Sequence, residues 1–234
     1  MAIHTETISI KGPNGALDGY FAAPDGGPAP AVVVIQEIFG VNEHIRDVTE
    51  KVAEAGYAAL APDLFWQVQP GFTSGYSAEE MEKARAIMPN IDLDRAVGDV
   101  GAAMETLLAR PESRGDGAGV VGFCWGGLMT YLVSCRLDPT CAVAYYGGRI
   151  ASFIGEADNL NCPVMFHFGD QDASIPMDQV EQIRQAMGAK AEAPVFVYEG
   201  AQHGFNCNLR GSYQEEGAKQ AWARTTEFFG KHLG

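Results

Sequence analysis

The sequence predicts an α/β fold: a mainly parallel sheet of about eight strands with helices on both faces. Three observations lead there. Short apolar runs alternate with helical-period segments along most of the chain. One run, Ala31-Val32-Val33-Val34-Ile35, is apolar without alternation, as a strand buried on both faces reads. The 234 residues contain no linker, repeat or low-complexity tract, so 1–234 reads as one domain.

The elements follow in order. Ile8 and Ile10, then Asn14-Gly15, then Leu17, Tyr20 and Phe21 read as a hairpin with its turn at Asn14-Gly15. After the buried run, Ile45, Val48, Val52 and Ala55 share one helical face over about 42–55, and Gly56 closes it. Tyr57 to Leu60 is a short strand. Residues 63–76 form a long loop carrying Phe65, Trp66, Phe72 and Tyr76, and such loops are often functional. Ser77 and Glu80 have capping-box spacing for a helix through Met88. A second helix covers about 93–109. Gly119 to Gly122 is a strand, and a helix starts near Gly126. Ala142 to Tyr146, Val164 to Phe168 and Val195 to Tyr198 are further strands. Pro176 suits the first turn of a helix through Met187. The final helix covers about 213–229.

Composition removes several functions. The net charge of −14, with no Lys/Arg run, argues against nucleic acid or an anionic membrane as partner. Five cysteines, odd in number and never in C-x-x-C spacing, are not a secreted disulfide framework. No run approaches the length of a membrane span, and the N-terminus has no basic-then-apolar pattern. The expectation is a cytoplasmic chain, a monomer or small homo-oligomer, with a small molecule as partner.

The stretch that carries chemistry is Gly122-Phe123-Cys124-Trp125-Gly126-Gly127, a G-x-C-x-G between a strand and a helix. In the related G-x-S-x-G turn the nucleophile stands on a tight, strained bend at the top of the sheet. A sulfur there also meets a helix N-terminus, where the dipole favours thiolate. The alternative for Cys124 is a structural thiol. A nucleophile needs a base, and the base an orienting acid, delivered here in the order nucleophile, acid, base. Asp170 and Asp172 follow one strand, and His203 sits in a glycine-flanked loop after the last. His167 lies within a strand and reads as a core histidine. Asp170 competes with Asp172 and has the alternative of tying down its own loop.

The chain resembles the dienelactone hydrolase family of α/β-hydrolases. The matching pieces are Gln36-Glu37-Ile38-Phe39-Gly40, Gly56 to Ala59, Ala61 to Leu64, Gly122 to Gly127, Tyr145-Tyr146-Gly147, and the Asp172 and His203 loops. The resemblance implies a Cys124–His203–Asp172 triad and an oxyanion hole from the backbone N–H groups of Ile38 and Trp125. It gives Glu37 a part in controlling the cysteine's proton, against the alternative that Glu37 only binds loop N–H groups. No cofactor is expected, and no metal either, because His203 and Cys207 lack two more ligands at a recognisable spacing.

The chain also departs from that pattern. The family holds its substrate's carboxylate with arginines, and Cys207 and Met81 stand at the two expected places. Arg85 and Arg210 are the candidates to replace them, with plain surface charge as the alternative. Phe39, Trp66 and Tyr145 are candidate pocket residues, with core packing as the alternative. The expected function is hydrolysis of esters or lactones through a thioester acyl-enzyme. The rivals are acyl transfer or thioester hydrolysis by the same triad, a non-catalytic binding protein, and a thiol redox protein.

Overall fold

The computed structural model describes residues 1–188 and 192–234. Eight strands form one mainly parallel sheet in the order β1-β2-β4-β3-β5-β6-β7-β8. The chain divides into two compact units, residues 1–120 with Leu233 and residues 121–232 with Gly234. Strand β5 (Ser113–Phe123) begins in the first and ends in the second. Among the described residues no helix is long and apolar enough to cross a membrane.

In the first unit, β1 (Ile3–Gly12) and β2 (Gly15–Pro24) are antiparallel. Gly12 pairs with Gly15, so Pro13-Asn14 is the loop and the turn falls one residue earlier than expected. Proline supplies a preset φ there, and Gly15 opens the second strand. Strand β2 runs antiparallel to β4 (Ala58–Pro62), which is parallel to β3 (Ala29–Ile35). Every residue of β3 and β4 is buried, as their unbroken apolar runs require.

Helix α1 (Glu43–Glu54) is capped by Asn42, whose side chain accepts from the Ile45 N–H, and it buries Ile45, Val48 and Val52. Helix α2 (Ala78–Ile87) has the anticipated Ser77/Glu80 capping box. Helix α3 (Leu93–Leu108) starts at the Asp92 cap and buries Val97, Val100 and Leu107. The aromatic loop is held by carboxylates rather than by its rings alone. Asp63 accepts from the N–H groups of Phe65 (3.0 Å) and Gly71 (2.7 Å). The Trp66 indole donates to Asp99 on α3 at 2.8 Å and its ring covers Gly15.

In the second unit, α4 (Trp125–Arg136) is buried along almost its whole length and packs on β6 (Cys141–Tyr145). A 3-10 segment, Ile150–Asn159, leads to β7 (Val164–Gly169). Helix α5 (Met177–Met187) begins after Pro176, and β8 (Val195–Tyr198) pairs in parallel with β7. Helix α6 (Glu215–Leu233) runs four residues past its expected end.

A buried polar network ties these strands to α6. Thr225 donates to the Ala221 carbonyl at 2.9 Å, leaving its oxygen to accept. The Tyr145 hydroxyl meets it at 2.7 Å and His167 Nε2 at 3.2 Å. His167 Nδ1 meets the Tyr198 hydroxyl at 2.8 Å. Every group is satisfied if His167 is neutral with its proton on Nε2 and Tyr198 donates to Nδ1. Burial pulls His167 down to about 3, and the nearby Arg224 charge acts in the same direction.

This has a consequence for acid stability. The folded state keeps His167 neutral, whereas the unfolded chain takes up a proton below its ordinary value of 6.5. The stabilisation is therefore present above pH 6.5 and is lost as pH falls toward 3. Between those limits this group contributes a loss of about 1.4 kcal/mol per pH unit. Urea denaturation of wild type and His167→Gln at pH 7, 6, 5 and 4 should show a shallower acid limb in the variant.

Candidate active site

The centre of the site is the bend between β5 and α4. Cys124 takes φ 56° and ψ −116°, a conformation that costs a non-glycine residue on the order of 1–3 kcal/mol. The surroundings hold it there. The Cys124 N–H donates to the Tyr145 carbonyl at 3.0 Å, and the Cys124 carbonyl accepts from Gly127 at 2.9 Å. The bend is too tight for side chains beside it. A Cβ on Gly122 would strike the Gly126 carbonyl oxygen and come within 2.5 Å of Thr130 Oγ1. One on Gly127 would lie 2.6 Å from the Tyr145 oxygen and 2.8 Å from Gly147 Cα. The first turn of α4 holds no acidic residue, so its dipole faces the half-buried Cys124 unopposed.

The C-terminal ends of β7 and β8 deliver the other two groups. His203 Nε2 lies 3.0 Å from Cys124 Sγ, and His203 Nδ1 lies 2.7 Å from Asp172 Oδ2. The other Asp172 oxygen accepts from the N–H groups of Ser174 (2.8 Å) and Ile175 (3.2 Å), which aims the carboxylate. The Asp172 side chain is wholly enclosed, and that of His203 is 18% exposed. Asp170 is turned elsewhere: it accepts from the Gly200 N–H at 2.7 Å and joins the two loops. Burial alone lowers the proton affinity of His203. The Cys124 sulfur and the bonded Asp172 outweigh it and push His203 up to about 10. A histidine so placed holds a proton at neutral pH.

The remaining candidates are distributed as follows. Tyr145 is fully buried, with its hydroxyl on Thr225 and its ring 4.5 Å from that of His167. Trp125 is the first residue of α4. Arg210 follows two turns beyond His203, and its guanidinium folds back over Gly204. Cys207 lies between them and is fully buried. In the first unit, Glu37, Ile38 and Phe39 follow β3. Glu37 and Phe39 are buried, and Phe39 packs edge-on against Tyr76 with ring centroids 4.8 Å apart. Trp66 is engaged with Asp99, and Arg85 is exposed on α2.

One residue near the triad was not a site candidate from sequence. Tyr146 lies with its ring 5.3 Å from that of His203, at 64°. An aromatic residue at a strand end reads as core, and only its place directly after Tyr145 hinted otherwise. Three further thiols are chemically quiet. Burial pushes Cys135 up to about 11 and Cys141 up to about 12, and it raises Cys162 as well. Such thiols hold their protons at neutral pH and react slowly.

The model of the dienelactone hydrolase family matches residues 17–233. A carboxymethylenebutenolidase-like protein of Synechocystis sp. is 36% identical over 241 residues, covering 99% of this chain and 98% of its own. The carboxymethylenebutenolidase of Pseudomonas putida is 33% identical, covering 96% and 95%. Among solved structures, a dienelactone hydrolase-like protein from Klebsiella pneumoniae superposes with a TM-score of 0.88 at 33% identity, covering 99% and 100%.

The tightness of the bend can be measured. Gly122→Ala should destabilise by about 3 kcal/mol or more, or prevent folding, because the new methyl meets backbone that cannot retreat. Gly148→Ala, with open space around the added methyl, should change stability by less than about 0.5 kcal/mol. Chemical denaturation of the two variants beside wild type makes the comparison.

Proposed function

The chain belongs to the dienelactone hydrolase family, and from that premise we propose how its own residues perform the hydrolysis. It is a hydrolase of carboxylic esters or lactones. The proposed engine is a Cys124–His203–Asp172 triad. The observation that carries it is the pair of contacts on one imidazole, 3.0 Å to sulfur and 2.7 Å to carboxylate.

Cys124 gives its proton to His203 Nε2 and becomes the thiolate beside an imidazolium. The sulfur attacks the substrate carbonyl, forming the C–S bond while the carbonyl electron pair moves onto oxygen. The Trp125 N–H at the start of α4 donates to that oxyanion, and the family resemblance assigns the second donor to Ile38. Collapse of the intermediate breaks the C–O bond, and His203 gives its proton to the departing oxygen. A lactone opens without losing a fragment. His203, now neutral, takes a proton from water, whose oxygen attacks the thioester. The acid leaves, and the thiolate–imidazolium pair is restored. Asp172 keeps Nε2 facing the sulfur throughout. The proposal extends to the role the resemblance gives Glu37 in controlling the cysteine's proton. It treats 1–234 as one catalytic domain, acting in the cytoplasm with no cofactor.

The same triad supports acyl transfer or thioester hydrolysis, and product analysis with added acceptors separates these from hydrolysis. Arg210 is the proposed carboxylate contact, because its guanidinium lies over Gly204, next to the base. Kinetics on enol lactones, neutral esters and thioesters provide the test. Cys124→Ala should lose at least about 1000-fold in kcat/KM on every substrate it accepts. Full activity in that variant would overturn the triad. Arg210→Ala should raise KM for carboxylate-bearing lactones about tenfold and leave neutral esters within twofold. An equal effect on both would remove Arg210 from substrate recognition.

A further inference from the structure

Tyr146 follows the last residue of β6 and takes φ 36°, which an aromatic residue rarely adopts. Three bonds anchor the peptide unit that precedes it. The Tyr146 N–H donates to the His167 carbonyl at 2.7 Å. One residue earlier, the Tyr145 hydroxyl is held at Thr225 Oγ1, and its carbonyl receives the Cys124 N–H. Past that anchored peptide unit the positive φ takes the chain off the line of β6. The Tyr146 ring is fully buried, 5.3 Å from His203 at 64° and 5.4 Å from Phe205 at 70°. Both geometries are the edge-to-face arrangement that aromatic pairs favour.

His203 needs such a neighbour. It stands on a loop, so no regular element sets its side-chain torsions. Its two polar contacts, at Nδ1 and Nε2, hold the ring along one line. The third attachment, the Cβ–Cγ bond, turns with side-chain torsions that the loop leaves unset. Packing against the ring must supply the remaining restraint.

We propose that Tyr146 is a positioning residue for the base: its ring fixes the His203 imidazole between Asp172 and Cys124. The inference rests on the triad reading above. The aromatic ring, not the hydroxyl, is the active part.

The test is the pH dependence of Cys124 alkylation by iodoacetamide, corrected with Cys124→Ala for the other four thiols. Tyr146→Phe, Tyr146→Leu and Tyr146→Ala are compared with wild type after circular dichroism confirms folding. Tyr146→Leu keeps most of the volume and serves if Tyr146→Ala does not fold. Phe should stay within twofold of wild type at pH 6, whereas Leu and Ala should react at least tenfold more slowly. The gap should close above pH 9, where a thiol ionises without help. A merely structural change of access would slow the reaction equally at all pH values, and that result would overturn the inference. So would an unchanged Leu profile, or a Phe variant as slow as Leu. A wild type that reacts at pH 6 no faster than a free thiol would overturn the triad reading itself, and this inference with it.

Discussion

The hydrogen bond from the Cys124 amide to the Tyr145 carbonyl, 3.0 Å long, holds the backbone bend on which the site depends. With the Gly127 N–H on the Cys124 carbonyl, it fixes the peptide units on both sides of a non-glycine residue at φ 56°. The bend in turn demands glycine at 122 and 127, because backbone from α4 and β6 occupies the space of their missing side chains. It also delivers the sulfur to the N-terminus of α4. Strain here is the means by which a thiol leaves the strand direction and meets a base delivered 79 residues later in the chain.

Two histidines in the second unit show how surroundings divide one side chain into opposite tasks. His167 is enclosed with neutral hydroxyls at both nitrogens and a guanidinium nearby, so burial wins and it stays uncharged. His203 is also mostly enclosed, yet a sulfur and a carboxylate sit on its two nitrogens, so attraction wins and it keeps its proton. The first fastens β7, β8 and α6 together, and the second stands beyond the ends of the same strands. The link between them is backbone. The His167 carbonyl accepts the Tyr146 N–H, and Tyr146 packs on His203.

What could be read from sequence follows from periodicity and glycine placement. The unbroken run at 31–35 is a buried strand, and the Ser77/Glu80 spacing is a capping box, because each pattern has one physical outcome. The G-x-C-x-G stretch and the loop histidine were visible for the same reason. Strand β5 was harder, since its first five residues, Ser113 to Gly117, are polar or glycine and carry no apolar alternation. The 3-10 segment at Ile150–Asn159 has neither a helix cap nor a strand pattern. Neighbouring tyrosines were beyond pattern altogether. Tyr145 and Tyr146 part company because φ turns positive at Tyr146, which no local sequence pattern announces. Arg210, a candidate from sequence although it falls later than the family's arginine, is folded back by two successive turns so that its guanidinium lies over Gly204.

The use of sulfur rather than oxygen as nucleophile bears on which substrates suit the proposed triad. A base that already holds its proton is useless to a serine, which must surrender one as it attacks. It suits a cysteine, whose thiolate is stable beside an imidazolium. The difficulty moves to the next step. A thiolate leaves a tetrahedral intermediate more readily than an alkoxide does, so attack on an ordinary alkyl ester tends to reverse. Two circumstances turn the balance forward: a proton placed on the departing oxygen, and an oxygen whose anion is already stabilised. His203 supplies the first, held by Asp172 with Nε2 toward the sulfur. An enol lactone supplies the second, because its leaving oxygen departs as an enolate. On the proposed triad, a protonated His203 and a sulfur nucleophile would therefore favour the same class of substrate, lactones and esters with good leaving groups, over simple alkyl esters.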